Sequence, residues 1–193
     1  MIQTEPKWKS YAVITNNAIF TPEQCNDIIR MGRQEPRQIG QVQDRKSKVS
    51  DLSSKRTSHI SWIPFNKMIP MYKVLEKIML STNVNHFGFD GVKITELAQY
   101  TEYPEGGFYG WHLDSDVNFL HEPPVRKISM TCLLSPPTEF EGGDLEILNE
   151  KDIIKLKQGQ AVFFASFLKH RVTPVKKGNR KSLVMWFGGP PLR

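Results

Sequence analysis

A chain of 193 residues is expected to form one domain, and its 39% apolar and 10% aromatic residues are enough for a core and exclude a disordered chain. The net charge of +6 permits an acidic partner such as nucleic acid, but so modest an excess is common in soluble enzymes and nucleic acid is not expected. Cys25 and Cys132 make no CxxC pattern, no run approaches the ~18 apolar residues of a membrane span, and the N-terminus has no long apolar stretch, so we expect a cytoplasmic protein without disulfide framework, zinc–thiolate site or membrane segment.

Residues 10–14 (SYAVI) read as a first strand. TPEQCNDIIRMG then has helix-start chemistry, with Thr21 as N-cap, Pro22 at the first helical position and Gln24 three residues after the cap. Ile28, Ile29 and Met31 give this helix a buried side. Residues 33–58 change character: seven Lys or Arg stand against three acids, and Ser replaces apolar residues. This segment is either a solvated loop or a mobile basic flap over a binding site, because long irregular loops in compact domains are often lids. SHISWIP reads as a short strand. Over 68–80 the residues Met68, Met71, Tyr72, Leu75, Ile78 and Met79 recur at helical spacing, with Pro70 in the first turn, and are assigned to the core.

From residue 92 the texture is β. KITELAQY, FYGWHLD, KISMTCLLS, GDLEIL, IIKLK, QAVFFAS, HRVTPV and RKSLVMWF are short segments separated by the turn-formers PEGG, PPTEFEGG, NEKD, KQG and KKGN. Eight strands in two facing sheets is the jelly-roll count. The expected fold is mainly β with flanking N-terminal helices: 1–91 as support carrying the flap, and 92–187 as a double-stranded β-helix (jelly-roll, cupin-like) barrel that holds the chemistry.

Residues i and i+2 of a strand share a face, so His112 and Asp114 of YGWHLDSD project together while Trp111 and Leu113 face the other way. His170 follows the apolar run QAVFFAS and sits at the end of another strand, where it can add a second imidazole. Two His and one carboxylate on one triangular face, with the opposite positions open, is the arrangement of non-heme Fe(II) oxygenases. The plain alternative is a surface histidine beside a solvated acid. Asp116 points to the same face and rivals Asp114; His86 in a polar loop and His121 before Pro-Pro are not taken as ligands. Arg180 follows the turn KKGN, and Ser182 is two further along its face. A guanidinium with a hydroxyl can hold a carboxylate by paired hydrogen bonds, although Lys176, Lys177 and Lys181 make a surface role for Arg180 the competing reading.

HLD, the distal His170, and Arg180 followed by Ser182 resemble the signature of the Fe(II)- and 2-oxoglutarate-dependent dioxygenases. QYTEYPEGGFYGWHLD is similar to the prolyl 4-hydroxylase branch, matched at Gln99, Tyr103, Gly106, Gly107 and Tyr109. EFEGGDLEI, RTSHISWIP and HRVTPVKKGNRKSLVMWF extend the resemblance over most of residues 10–187. It implies Fe(II) held by His112, Asp114 and His170, 2-oxoglutarate as co-substrate and O2, with ascorbate as an accessory reductant. Carried over by position, Arg180 binds the C5 carboxylate with Ser182 assisting, Tyr103 lines the co-substrate pocket and Tyr109 stands near the metal. The implied reaction couples decarboxylation to succinate and CO2 with hydroxylation of an unactivated C–H, and the presence of Asp114 favours hydroxylation over halogenation. One departure is that KISMTCLLS carries Cys132, Leu133 and Leu134 where many prolyl hydroxylases place a tyrosine. The expected substrate is a residue, proline first, in a protein or peptide. Alternatives are a free amino acid or small metabolite, a nucleic-acid base (against which Trp186 stands where demethylases carry a second arginine), and a barrel that binds without catalysis.

Overall fold

In the computed structural model, residues 10–40, 55–115 and 124–191 are described. Helix α1 (Pro22–Gln34) begins as its sequence requires: the Thr21 hydroxyl accepts the Gln24 N–H at 3.2 Å and the Gln24 side chain accepts the Thr21 N–H at 2.9 Å. Its innermost residues are Cys25, Ile28 and Gly32, with Ile29 and Met31 packed at the margin of the same core. Helix α2 (Ile69–Thr82) buries Met71, Tyr72, Leu75 and Met79, with Met68 and Ile78 at the margin. Its last turn widens into a π turn, Asn83–Phe87, closed by Gly88 at φ 68°.

Two sheets and one two-stranded ribbon make most of the rest. The larger takes strands β1 (Ala12–Ile14), β2 (Gln38–Ile39), β4 (His59–Ile63), β5 (Lys93–Ile94), β6 (Ala98–Tyr103), β8 (Val125–Leu133), β12 (Ala161–Ala165) and β15 (Arg180–Gly189). They run in the order β1-β12-β8-β15-β6-β4-β2, with β5 against β15. The smaller has β3 (Arg56–Thr57), β7 (Phe108–His112), β10 (Leu145–Ile147), β11 (Ile153–Ile154) and β13 (His170–Val172) in the order β11-β10-β13-β7-β3. Strands β9 (Phe140–Gly142) and β14 (Val175–Gly178) pair separately. The architecture is mainly β and of the jelly-roll type. The sheets are antiparallel throughout, as hairpins and Greek keys require.

Each face of the larger sheet has its own core. Odd-numbered residues of β15 (Leu183, Met185, Phe187) join Tyr100, Met130, Cys132 and Phe163 under the two helices. Opposite them, Val162, Phe164 and Tyr103 pack with Leu145, Ile147, Val172 and Tyr109 of the smaller sheet. The helices thus cover one face, and the space between the sheets is left for chemistry.

Several sequence expectations are redrawn. KITELAQY breaks into β5 and β6, and HRVTPV divides into β13 and β14, which lie in different sheets because Thr173-Pro174 interrupts the ladder. FYGWHLD ends as a strand at His112, so Asp114 lies beyond it. The basic segment 33–58 is tied at both ends: α1 runs to Gln34, β2 pairs with β4, and β3 pairs with β7. Its centre, 41–54, lies outside the described residues, as do Asp116 and His121. Among the described residues no helix is long and apolar enough to cross a membrane.

Candidate metal centre

Strands β7 and β13 pair with His112 directly opposite His170, which brings the two imidazoles together with ring centroids 4.1 Å apart. His170 opens β13 instead of ending the strand before it, because the turn 166–169 separates it from β12. Asp114 reaches the same point, with Oδ1 3.6 Å from His112 Nε2 and Oδ2 3.3 Å from His170 Nε2. One donor atom from each of the three residues lies within 4.8 Å of the others, and they are the one group of this kind among the described residues. Donors bound to one ion at ~2.1 Å and at right angles are ~3 Å apart, so this spacing fits a single small divalent cation.

The main chain prepares both histidines. His112 Nδ1 is 2.8 Å from the Gly110 carbonyl and His170 Nδ1 is 2.8 Å from that of Leu168. A carbonyl only accepts, so Nδ1 carries the proton and Nε2 turns its lone pair to the centre. The rings are also fixed by packing. Tyr109 stacks on His112 with centroids 3.5 Å apart, and Phe164 meets His170 edge-on at 4.7 Å. Burial lowers the His112 pKa despite the adjacent carboxylate. For His170 burial acts the same way but Asp114 outweighs it, and the pKa is raised. For Asp114, burial opposes ionisation, yet the two imidazoles hold it well below the usual carboxylate range. The trio therefore offers two imidazoles and an anionic oxygen, a donor set that fits ferrous iron.

Directly paired residues of antiparallel strands share a face, which identifies the side chains between the sheets. On β15 these are Arg180, Ser182, Val184 and Trp186; on β6 Tyr103, Thr101 and Gln99; on β8 Leu133, Thr131 and Ser129. Arg180 is 3% exposed, donates to Ser182 Oγ at 3.2 Å, and lies 5.6 Å from the centre of the Tyr103 ring. Burial lowers its pKa, with Tyr103 and Asp144 opposing. Among the described residues no carboxylate lies within ion-pairing distance of this guanidinium. Gly143, at φ 64°, makes room for it: a Cβ there would sit 2.9 Å from Arg180 Cδ. The missing tyrosine of β8 is visible as Leu133, which faces the cavity beside Ser182, whereas Cys132 points under the helices. The phenol nearest Arg180 comes from the neighbouring strand, as Tyr103. Tyr109 adjoins the centre, and burial pushes its pKa up to about 12. His86 lies elsewhere, 3.3 Å from Ser10 Oγ.

The rim holds residues that sequence reasoning did not single out. Arg126 grips Glu96 with two nitrogens and lies 4.0 Å over the Trp186 ring. Arg56, 6% exposed, donates to Ser58 and Gln99 and covers Tyr109 at 4.4 Å. The usable signal was polar residues at every second position of otherwise apolar strands, such as Ser129 and Thr131 between Ile128, Met130 and Cys132.

Two imidazoles and a carboxylate between the sheets of a jelly roll, with a buried arginine on the same side of the larger sheet, is an arrangement similar to that of the non-heme iron oxygenases. Residues 98–188, just under half of the chain, match the model of the 2OG-Fe(II) oxygenase superfamily. A PKHD-type hydroxylase of Acidovorax ebreus is 37% identical over 93 residues, 46% of this chain and 41% of that protein. The matched part thus spans less than half of such curated relatives. The viral collagen prolyl hydroxylase of Paramecium bursaria Chlorella virus-1, solved with 2OG, superposes with a TM-score of 0.72 at 20% identity, covering 93% of this chain and 97% of that one. A prolyl hydroxylase of Trichoplax adhaerens, solved with a hypoxia inducible factor peptide fragment, gives 0.69 at 18% identity, covering 93% and 84%. At these identities the likeness is one of fold.

Proposed function

We propose that this chain is an Fe(II)- and 2-oxoglutarate-dependent dioxygenase that hydroxylates a residue, proline first, in a protein or peptide and releases succinate and CO2. The observation that carries the reading is the His112–Asp114–His170 centre together with a buried guanidinium that faces the space between the sheets and has no ion-pair partner among the described residues. A buried cation costs several kcal/mol unless an anion meets it, and a dicarboxylate co-substrate supplies one. Arg180 donates to its far carboxylate. Because Arg180 already donates to Ser182 Oγ, the Ser182 proton is free to join that contact, and Tyr103 walls the same end. His112, Asp114 and His170 hold the ion, and Tyr109 fixes the His112 ring. When bound, ferrous iron supplies open positions for co-substrate and O2 and the redox chemistry that activates O2.

The mouth supports a peptide. From Arg180 to Trp186 the cavity face of β15 extends over about 20 Å, longer than the co-substrate needs. Trp186 and Trp62 lie 6.0 Å apart there, and the Trp186 indole N–H is buried without an acceptor among the described residues, which suits a main-chain carbonyl. The PKHD-type relative and the peptide-bound neighbour favour the same reading. Two buried free thiols and an oxidisable ion suit a reducing, cytoplasmic setting.

The test is succinate release with Fe(II) and 2-oxoglutarate. Stimulation by proline-containing peptides with gain of one oxygen on the peptide is expected. Stimulation by free proline alone would move the assignment to small metabolites, and stimulation by methylated oligonucleotides would move it to nucleic acid.

A further inference from the structure

We propose that Ser129, backed by Ser166, is the positioning residue that sets the rotation of the Asp114 carboxylate and with it the affinity of the centre for metal; the inference rests on the metal-centre reading above. Strand β7 stops at His112, so no ladder hydrogen bond aims Asp114. A carboxylate two residues past a strand end would otherwise turn about its side-chain bonds, and each lost rotamer has to be offset by contacts.

Those contacts come from other elements. The N–H groups of Asp114 and Ser115 both donate to the Ser166 carbonyl, each at 3.0 Å. Arg126 Nη1 approaches the Asp114 carbonyl at 3.4 Å while its remaining nitrogens hold Glu96. The side chain itself is held by Ser129 Oγ, which donates to Oδ2 at 2.7 Å. Ser129 Oγ is also 2.9 Å from Ser166 Oγ. Counting protons gives this pair one direction. An ionised carboxylate only accepts, so the single Ser129 proton goes to Asp114 and the serine–serine contact carries the Ser166 proton. Both serines are 0% exposed, so no bulk water competes for either hydroxyl.

The seat is independent of the two histidines. Ser129 is placed by the larger sheet, opposite Phe164 and Trp186, whereas His112 and His170 belong to the smaller one. Asp114 is thus the one member of the trio aimed from across the cavity. An oxygen that already accepts a strong hydrogen bond is the poorer metal donor of its carboxylate, so this arrangement favours ligation through one oxygen and keeps the other positions open.

The experiment is titration of the purified full chain with Co(II), read by calorimetry and by the visible absorption of the bound ion, in wild type, Ser129→Ala, Ser129→Thr and Ser166→Ala. Removing an outer partner of a ligand costs about 10- to 100-fold in metal affinity. We expect that loss and an altered Co(II) spectrum for Ser129→Ala, near-wild-type values for Ser129→Thr, and a smaller loss of the same sign for Ser166→Ala. Wild-type affinity and spectrum in Ser129→Ala would overturn the inference while leaving the metal centre intact. Equal losses in the Ala and Thr variants would also overturn it, since the hydroxyl would then not be what matters. If Ser129→Ala does not fold, Ser166→Ala decides by the same two readouts. Wild-type protein that binds no Co(II) would remove the metal-centre reading itself, and this inference with it.

Discussion

Histidine can ligate through either ring nitrogen, and here two carbonyls, those of Gly110 and Leu168, make the choice before any metal arrives. At His170 the ligating nitrogen also faces Asp114, which against the opposing effect of burial raises the pKa, so Nε2 offers its lone pair above that value and carries a proton below it. Metal has to displace that proton, so affinity falls as pH drops through the raised His170 value, a fall that begins above 6.5, where an unperturbed imidazole titrates. His112, shifted down by burial, is already neutral there. Calorimetry in buffers of different ionisation enthalpy should register about one proton released per metal ion near that pH; none released would contradict the pairing of His170 with Asp114. At the other end of the cavity, Arg180→Ala should raise the 2-oxoglutarate concentration for half-saturation about 10- to 100-fold, the loss of a charged contact of ~1.5–3 kcal/mol. An unmoved co-substrate titration would make Arg180 a structural residue.

At the level of elements, strand β15 shows how one pleat serves two purposes. Its odd-numbered residues pack under α1 and α2 while Arg180, Ser182 and Trp186 face the centre. Alternation of polar and apolar residues normally marks a wet face, but here the polar side is buried in the site. The helix side is held as tightly. Gly32 of α1 lies against the Tyr100 ring, and a Cβ at that position would overlap the ring's Cγ. Gly32→Ala should therefore destabilise by about 1–3 kcal/mol in urea unfolding, although alanine is the better helix former. A stabilised variant would show that α1 can lift from the sheet at little cost.

Across the whole molecule, the join between α1 and the sheet is electrostatic as well as apolar. Glu102, on the helix side of β6, accepts from the Tyr100 hydroxyl and from Arg33 Nε at 2.7 Å, with Arg37 at 4.0 Å. Burial alone would raise its pKa; Tyr100 and Arg33 outweigh that and lower it. A depressed folded-state value means that the contribution is complete above the ordinary carboxylate pKa of 4.5 and is lost as pH falls through the lower, folded one. Glu102→Gln should thus cost about 1–3 kcal/mol at pH 7, with the gap to wild type closing below pH 4.5. A gap independent of pH would assign the loss to packing.

The fold class and the candidate ligands were legible in the chain because local rules reach that far. The cap at Thr21, the helical spacing of Met71, Leu75 and Met79, and the order of the β segments are properties of neighbouring residues. The HxD pair and its distant histidine, with Arg180 and Ser182, were legible as a pattern of residue types. Tertiary structure alone decided that Asp114 leaves the strand, that Tyr103 lies beside Arg180, and that Ser129, Arg126 and Arg56 come to adjoin the candidate centre. The physical reason is that a strand's pleat tells which residues share a face but not what covers that face. Whether alternating serines and threonines meet water or a metal centre depends on where the second sheet is folded over them.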